Sequence, residues 1–168
     1  MTASPHIDTD IARVAHQEKV LTFTSFDADV AWALGLRLRD MAAAGKLGIV
    51  IDVSLFSMPL FYAALEGTSP DNANWVRRKR NCVARFFRSS YATGLSLARD
   101  GRSLQDKFGL SDADFAAHGG SFPITVTGAG CIGAVTVSGL PQRQDHALVV
   151  EALALHLGHD LASLRLDV

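Results

Sequence analysis

The chain has 168 residues, 48% of them hydrophobic and 20% charged, with a formal net charge of -1 and a pI near 6.6. That length fits one domain, residues 1–168, able to bury a core without help from metal or disulfides. The balanced charge argues against a nucleic-acid binder, two isolated cysteines (Cys82 and Cys131) exclude a disulfide framework, and the most apolar stretch, LGIVIDVSLF, is interrupted by Asp52, which argues against a membrane span.

Read from the start, MTASPHIDTDIARV lacks a basic region followed by an apolar run, so no signal peptide is expected. A cytoplasmic location with reduced cysteines follows as the expectation. Residues 8–19 read as a short helix opened by Asp or Thr caps. VLTFTSF alternates and is rich in β-branched and aromatic residues, the pattern of a strand. DADVAWALGLRLRDMAAAG has an acidic start, helix formers throughout and a glycine stop. LGIVIDVSL and MPLFYAAL read as two strands, the second carrying the edge signal of Pro59. GTSPDNAN has turn chemistry, and helices are expected from Trp75 to Phe87 and from Ser90 to Arg99. GLSDADFAAHGG reads as a short capped helix, and SFPITVTGAGCIGAVTVSGL as a hairpin of two strands. The last helix starts near Pro141 and ends near Gly158. This order lacks strict βαβ alternation. It predicts an α+β domain with a mainly antiparallel sheet of five strands flanked by helices.

Residues 74–88, NWVRRKRNCVARFFR, hold six of the sixteen Lys and Arg residues. On a helical wheel Cys82, Trp75, Phe86, Val83, Val76 and Phe87 fall within an arc of about 140°, a buried stripe. Arg77, Arg78, Asn81, Arg85 and Arg88 lie opposite, on a polar face. Lys79 alone projects into the middle of the apolar stripe, with Arg80 at its edge. Either Lys79 snorkels to water, or it needs a carboxylate of this subunit, of a neighbour or of an anionic ligand, because an unpaired buried ammonium is very costly.

DNANWVRRKRNCVARFFRSSYATGL, followed by AAHGGSFPITVTGAGCIGAVTVSGLPQRQDHALVVEAL, resembles the UPF0303 family of the haem-degrading-domain superfamily, which includes the GlcG and HbpS proteins. The likeness runs from about IARVAHQE to VVEAL. It implies a five-stranded antiparallel sheet with helices on its faces (profilin-like α-β-α layers), closed homo-oligomers, and haem binding or breakdown as known for relatives. One stretch departs from the family form: NCVARFFRSSYATG stands where NVVNRFGHSSYYMG is more usual. Phe87-Arg88 thus replaces Gly-His, and a histidine ligand at position 88 is missing.

His118, before Gly119-Gly120, is the leading residue for chemistry: a haem ligand, acid or base, or else a turn histidine bonded to backbone. Arg78, Lys79 and Arg85 are candidates to meet the carboxylates of a ligand or a neighbouring subunit. Ser90 and Tyr91 read as helix-capping residues or as hydroxyl ligands to an anion. His146, with Asp145 beside it in the first turns of the last helix, either pairs across to the cationic helix or is a surface or interface imidazole next to a helix N-terminal acid. His156 and His159 lack the partners of a metal site, and TGAGCIG lacks the following helix of a dinucleotide fingerprint. No catalytic triad spacing is present. Two functions fit: a cytoplasmic homo-oligomeric protein binding haem or another anionic small molecule, or a non-catalytic oligomeric scaffold or adaptor.

Overall fold

The computed structural model of the chain describes residues 6–167; residues 1–5 and 168, part of the predicted domain and of the N-terminal stretch read above, lie outside the described residues. Six helices and four strands follow one another: α1 (Ile7–Val20), α2 (Ala28–Ala44), β1 (Val50–Leu55), β2 (Met58–Ala64), α3 (Pro70–Phe86), α4 (Ser90–Asp100), α5 (Leu104–Phe108), β3 (Ser121–Val126), β4 (Gly130–Ser138) and α6 (Gln142–Leu157). A 3-10 turn at Leu161–Ser163 ends the series. None of the described helices is long and apolar enough to cross a membrane.

The strands form one antiparallel sheet in the order β2-β1-β4-β3. Alternation along the strands gives its two faces opposite characters. Ile51, Val53, Phe122, Ile124, Val135 and Val137 point to one side, where they pack with Leu34 and Leu38 of α2 and Val149 and Leu153 of α6. Asp52, Ser54, Ser121, Thr136 and Ser138 alternate with them and are buried too, on the side covered by α3. The chain is therefore an α-β-α sandwich with one apolar and one polar interlayer.

The sheet has four strands, not the expected five. Val20 is still helical, and Leu21 donates its N–H to Gln17 O. Phe23 then makes a single parallel bridge to Val126, bonded to Thr125 O and Thr127 N at 2.9 Å each. Asp27 N-caps α2 immediately afterwards, its Oδ1 accepting the Val30 N–H at 2.9 Å. The apolar residues of VLTFTSF do enter the core, but the segment is too short between two helices to extend a ladder.

Two helix expectations also shift. GTSPDNAN is not wholly a turn: α3 opens at Pro70, whose fixed φ and missing N–H suit a first helical position. Asn72 Oδ1 accepts the Ser69 N–H at 2.8 Å, securing the start. The helix expected in GLSDADFAAHGG is absent. Helix α5 lies earlier, fixed by reciprocal bonds between Ser103 and Asp106 and stopped by Gly109 at φ 67. The following carbonyls are bound by side chains of α3: Arg78 Nε donates to Asp112 O at 2.6 Å, Arg77 to Ala113 O at 2.7 Å and Asn81 to Asp114 O at 2.9 Å. Those bonds take the acceptors that a helix would use.

Candidate functional site

On α3, Val76, Lys79, Cys82 and Val83 are buried, as the wheel requires. Phe87 leaves the stripe: it caps the helix in the left-handed conformation (φ 53) and is 60% exposed. Lys79 is 3% exposed, and its partner is Asp145 of the same chain, in the first turns of α6. Nζ donates to Asp145 Oδ2 at 2.8 Å and to Val137 O at 3.2 Å. Asp145 Oδ1 accepts the Leu140 N–H at 3.1 Å. Burial pushes the Asp145 carboxyl up and the Lys79 amine down, each against the pull of the other's charge. The pair ties α3 to the β4–α6 junction across the polar interlayer.

The other cations of the segment are largely used within the chain. Arg77 pairs with Asp114 at 3.0 Å, Arg80 with the buried Asp52, and Arg88 with Glu18 at 3.8 Å. Asp52 also accepts from Ser54, and burial raises its carboxyl above the usual range. Arg78 lies 4.4 Å over the Trp75 ring. Arg85 is exposed, with no partner among the described residues.

His118 stands at the junction of two concavities. Its ring meets Trp75 edge-on at 5.2 Å, and neither ring nitrogen has a hydrogen-bond partner among the described residues. His118 is exposed overall; desolvation of its ring by the groups around it, then the charges of Lys79 and Arg78, lower its pKa, so the neutral ring with a free lone pair prevails near pH 7. The two following glycines allow the close approach that places it. A Cβ on Gly119 would stand 2.1 Å from Gln142 O; one on Gly120 (φ 128) would stand 2.5 Å from Val137 O and 2.8 Å from Lys79 Nζ.

The larger concavity is a cleft of ≈1070 Å³ between α4, α5 and the 112–118 segment. Leu95, Leu97, Leu104 and Phe115 supply apolar wall, and Arg78, Tyr91 and His118 line it as well. In the same cleft Arg143 pairs with Asp10, and Tyr91 Oη lies 3.3 Å from each. The smaller concavity, ≈230 Å³, is lined by Lys79, Asp145, His118 and Trp75 among others. His118 and Gln142 border both.

The structure thus brings Arg78, Tyr91 and His118 to one cleft and Lys79 to the adjoining cavity, but not the remaining candidates. Ser90 is buried and binds the β3 backbone, receiving the Ser121 N–H at 3.1 Å. His146 is fully buried, with Nε2 2.8 Å from Gln17 Oε1 and no partner for Nδ1. Its ring packs against Tyr91 and Phe122, and burial pushes its pKa down to about 3. His156 leans on Phe23 and His159 is exposed. Among the described residues, no three His, Cys, Asp or Glu side chains converge as a metal site would require. Gln142, Trp75 and Arg143 were not singled out by sequence as site residues. Gln142 and Arg143 lie in the QRQDH string beside His146, the one signal that pointed towards them.

Comparison with known proteins agrees with this architecture. Residues 26–154 match the family model of the haem-degrading protein HbpS-like family. A UPF0303 protein of Sinorhizobium medicae is 65% identical over 162 residues, covering 96% of this chain and 99% of that protein. A UPF0303 protein of Burkholderia cenocepacia is 57% identical over 157 residues, 94% of this chain and 95% of its own length. Among solved structures, the Ybr137w protein is similar with a TM-score of 0.83 at 24% identity, over 92% of this chain and 95% of that one. HbpS gives 0.62 at 19% identity, over 81% and 92%, and a PduOC:haem complex gives 0.66 at 13%, over 77% and 94%. At these identities the structures show a shared fold.

Proposed function

This chain belongs to the HbpS-like haem-degrading protein family, on its UPF0303 branch, and from that premise we propose that it acts in the cytoplasm as a homo-oligomeric small-molecule-binding protein whose ligand is haem or another anionic molecule of similar size. The observation that carries this reading is the ≈1070 Å³ cleft, in which His118 with unpartnered ring nitrogens stands among apolar walls and beside Arg78. Ligand clefts commonly run from about 300 to 1,000 Å³, mostly apolar with a few convergent polar groups. The residues fit haem: a neutral imidazole for the iron, a guanidinium for a propionate and apolar surface for the macrocycle. When bound, haem brings redox-active iron; the chain's own part is to orient it through His118, to meet its carboxylates through Arg78, and to exclude water with Leu95, Leu104 and Phe115. Lys79 acts indirectly in this reading, fixing with Asp145 the backbone at Val137 and Leu140; the Val137 N–H in turn binds Gly120 O, two residues past His118. Tyr91 contributes a polar edge fixed by Asp10 and Arg143.

Titration with hemin, followed by visible absorbance, tests the proposal. Wild type is expected to give a saturable Soret shift at one hemin per chain, and His118→Ala to weaken binding at least about tenfold, the loss of one strong directional contact. A flat or non-saturating response in wild type sinks the haem reading.

A second reading, an oligomeric scaffold, is favoured by a separate feature. Along edge strand β2 and the adjoining turn, Phe56, Met58 and Tyr62 are exposed, and Phe56 stacks on the exposed Phe87. An uncovered apolar edge of this kind suits subunit contact.

A further inference from the structure

The ≈230 Å³ cavity beside His118 is too small for haem, and its hydrogen-bonding groups are unbalanced in one direction. It is lined by Asn72, Trp75, Lys79, His118, Gln142 and Asp145, with Ser138 and the Gly139–Leu140 backbone behind. Its carboxylate and carboxamide oxygens are already engaged. Asp145 Oδ2 binds Lys79 and Oδ1 binds the Leu140 N–H. Asn72 Oδ1 accepts the Ser69 N–H at 2.8 Å, and Gln142 Oε1 accepts the Gly119 N–H at 3.2 Å.

Those two backbone bonds fix the orientation of both carboxamides, because only the oxygen can accept from an N–H. Each amide therefore keeps a free NH2 group. Trp75 Nε1, which can only donate, has no partner among the described residues, nor has the Ser138 hydroxyl or the N–H of neutral His118. Lys79 has three N–H bonds and two acceptors. The free donors (two amide NH2 groups, the indole N–H and one Lys79 N–H) outnumber the free acceptors, which are the second His118 nitrogen and the Ser138 oxygen, so the lining favours a ligand rich in acceptors over a cation or an amine.

We infer that this cavity binds a small oxyanion of the carboxylate type, an organic acid much smaller than haem, between the amides of Asn72 and Gln142 with Trp75 and His118 as walls. Lys79 and Asp145 cancel in charge, so donor geometry rather than net charge provides the selectivity. The site stands apart from the haem reading: it requires no hemin, and either can fail without the other.

Acetate is the probe. The chain has two tryptophans, and Trp32 is 56% exposed, so Trp32→Phe leaves Trp75 as the sole indole reporter. In hemin-free protein, acetate is expected to change Trp75 emission saturably, whereas chloride and methylammonium at matched ionic strength do not. Gln142→Glu and Asn72→Asp each retain the oxygen that accepts the backbone N–H but replace the free NH2 with a carboxylate oxygen. Gln142 is exposed, so its variant should fold. Each change is expected to weaken acetate binding at least about tenfold by repulsion and loss of a donor. Isothermal titration calorimetry covers binding that leaves the emission unchanged. Acetate indistinguishable from chloride by both methods overturns the inference. So does acetate binding that is unaffected by both substitutions.

Discussion

At the scale of single residues, the question raised by Lys79 is how a cation can lie in an apolar stripe. The answer is Asp145, 2.8 Å away and 1% exposed. Removing one member of such a pair leaves an uncompensated buried charge, so Lys79→Met is expected to destabilise the fold by about 3–5 kcal/mol. Adding Asp145→Asn, which keeps an acceptor for the Leu140 N–H, should recover much of that loss. Urea denaturation of the single and double variants checks both, and equal instability in the two would contradict the pairing argument. His146 sets a second residue-scale expectation. Its folded pKa, about 3, lies below the ordinary value of 6.5, so the unfolded chain binds the extra proton between those limits. Its stabilising contribution is intact above the unfolded pKa and falls with acidification by about 1.4 kcal/mol per pH unit. Asp52, Asp145 and Glu18 oppose this trend: burial raises their carboxyls, so acid favours the folded state through them. The His146 term is therefore read as a difference. His146→Gln, which keeps a donor for Gln17, removes a component that rises with pH, so wild-type stability minus variant stability should increase from about pH 5 to about pH 6.5. Parallel curves would refute it.

At the scale of elements, α3 determines the surroundings of His118. Its inner face carries Lys79 and Arg80 to acids in the polar interlayer, and its outer side chains hold the carbonyls of Asp112, Ala113 and Asp114, which form a turn. Where it stops, Phe87 takes a left-handed conformation that costs a residue with a Cβ roughly 1–2 kcal/mol. Glycine, which the family resemblance leads one to expect at this position, has no Cβ and suits that conformation. Phe87→Gly is expected to raise stability by about 0.5–1 kcal/mol, the strain relief less the lost stacking on Phe56. Thermal denaturation tests this, and a lowered melting temperature would show that the Phe56 stack outweighs the strain.

At the scale of the whole molecule, the four-stranded sheet leaves β2 as an edge, with Met58 and Tyr62 about half exposed. If that edge is the contact between copies in the proposed homo-oligomer, wild type should elute above its monomer mass in size-exclusion chromatography with light scattering. Tyr62→Asp should shift it towards monomer while leaving hemin binding by His118 unchanged, because Tyr62 does not line the cleft. An unchanged mass would remove β2 as the contact.

Much of the fold was legible in the chain itself. Periodicity fixed α2, α3, α4, α6 and both hairpins, because each buries its own repeating face and ends on local signals such as Asp27, Gly101 and Gly158. The same wheel identified Lys79 as an inward cation in need of a carboxylate, since its direction depends on helical geometry alone. Four matters required the tertiary structure. Whether VLTFTSF became a strand depended on the room between α1 and α2, and the 109–120 segment lost its helix to donors lying more than thirty residues earlier on α3. The partner of Lys79 was settled by a contact across 66 residues. The donor balance of the small cavity also required the fold, because Asn72 and Gln142 are interchangeable polar residues in sequence until the backbone N–H groups they accept are placed beside them.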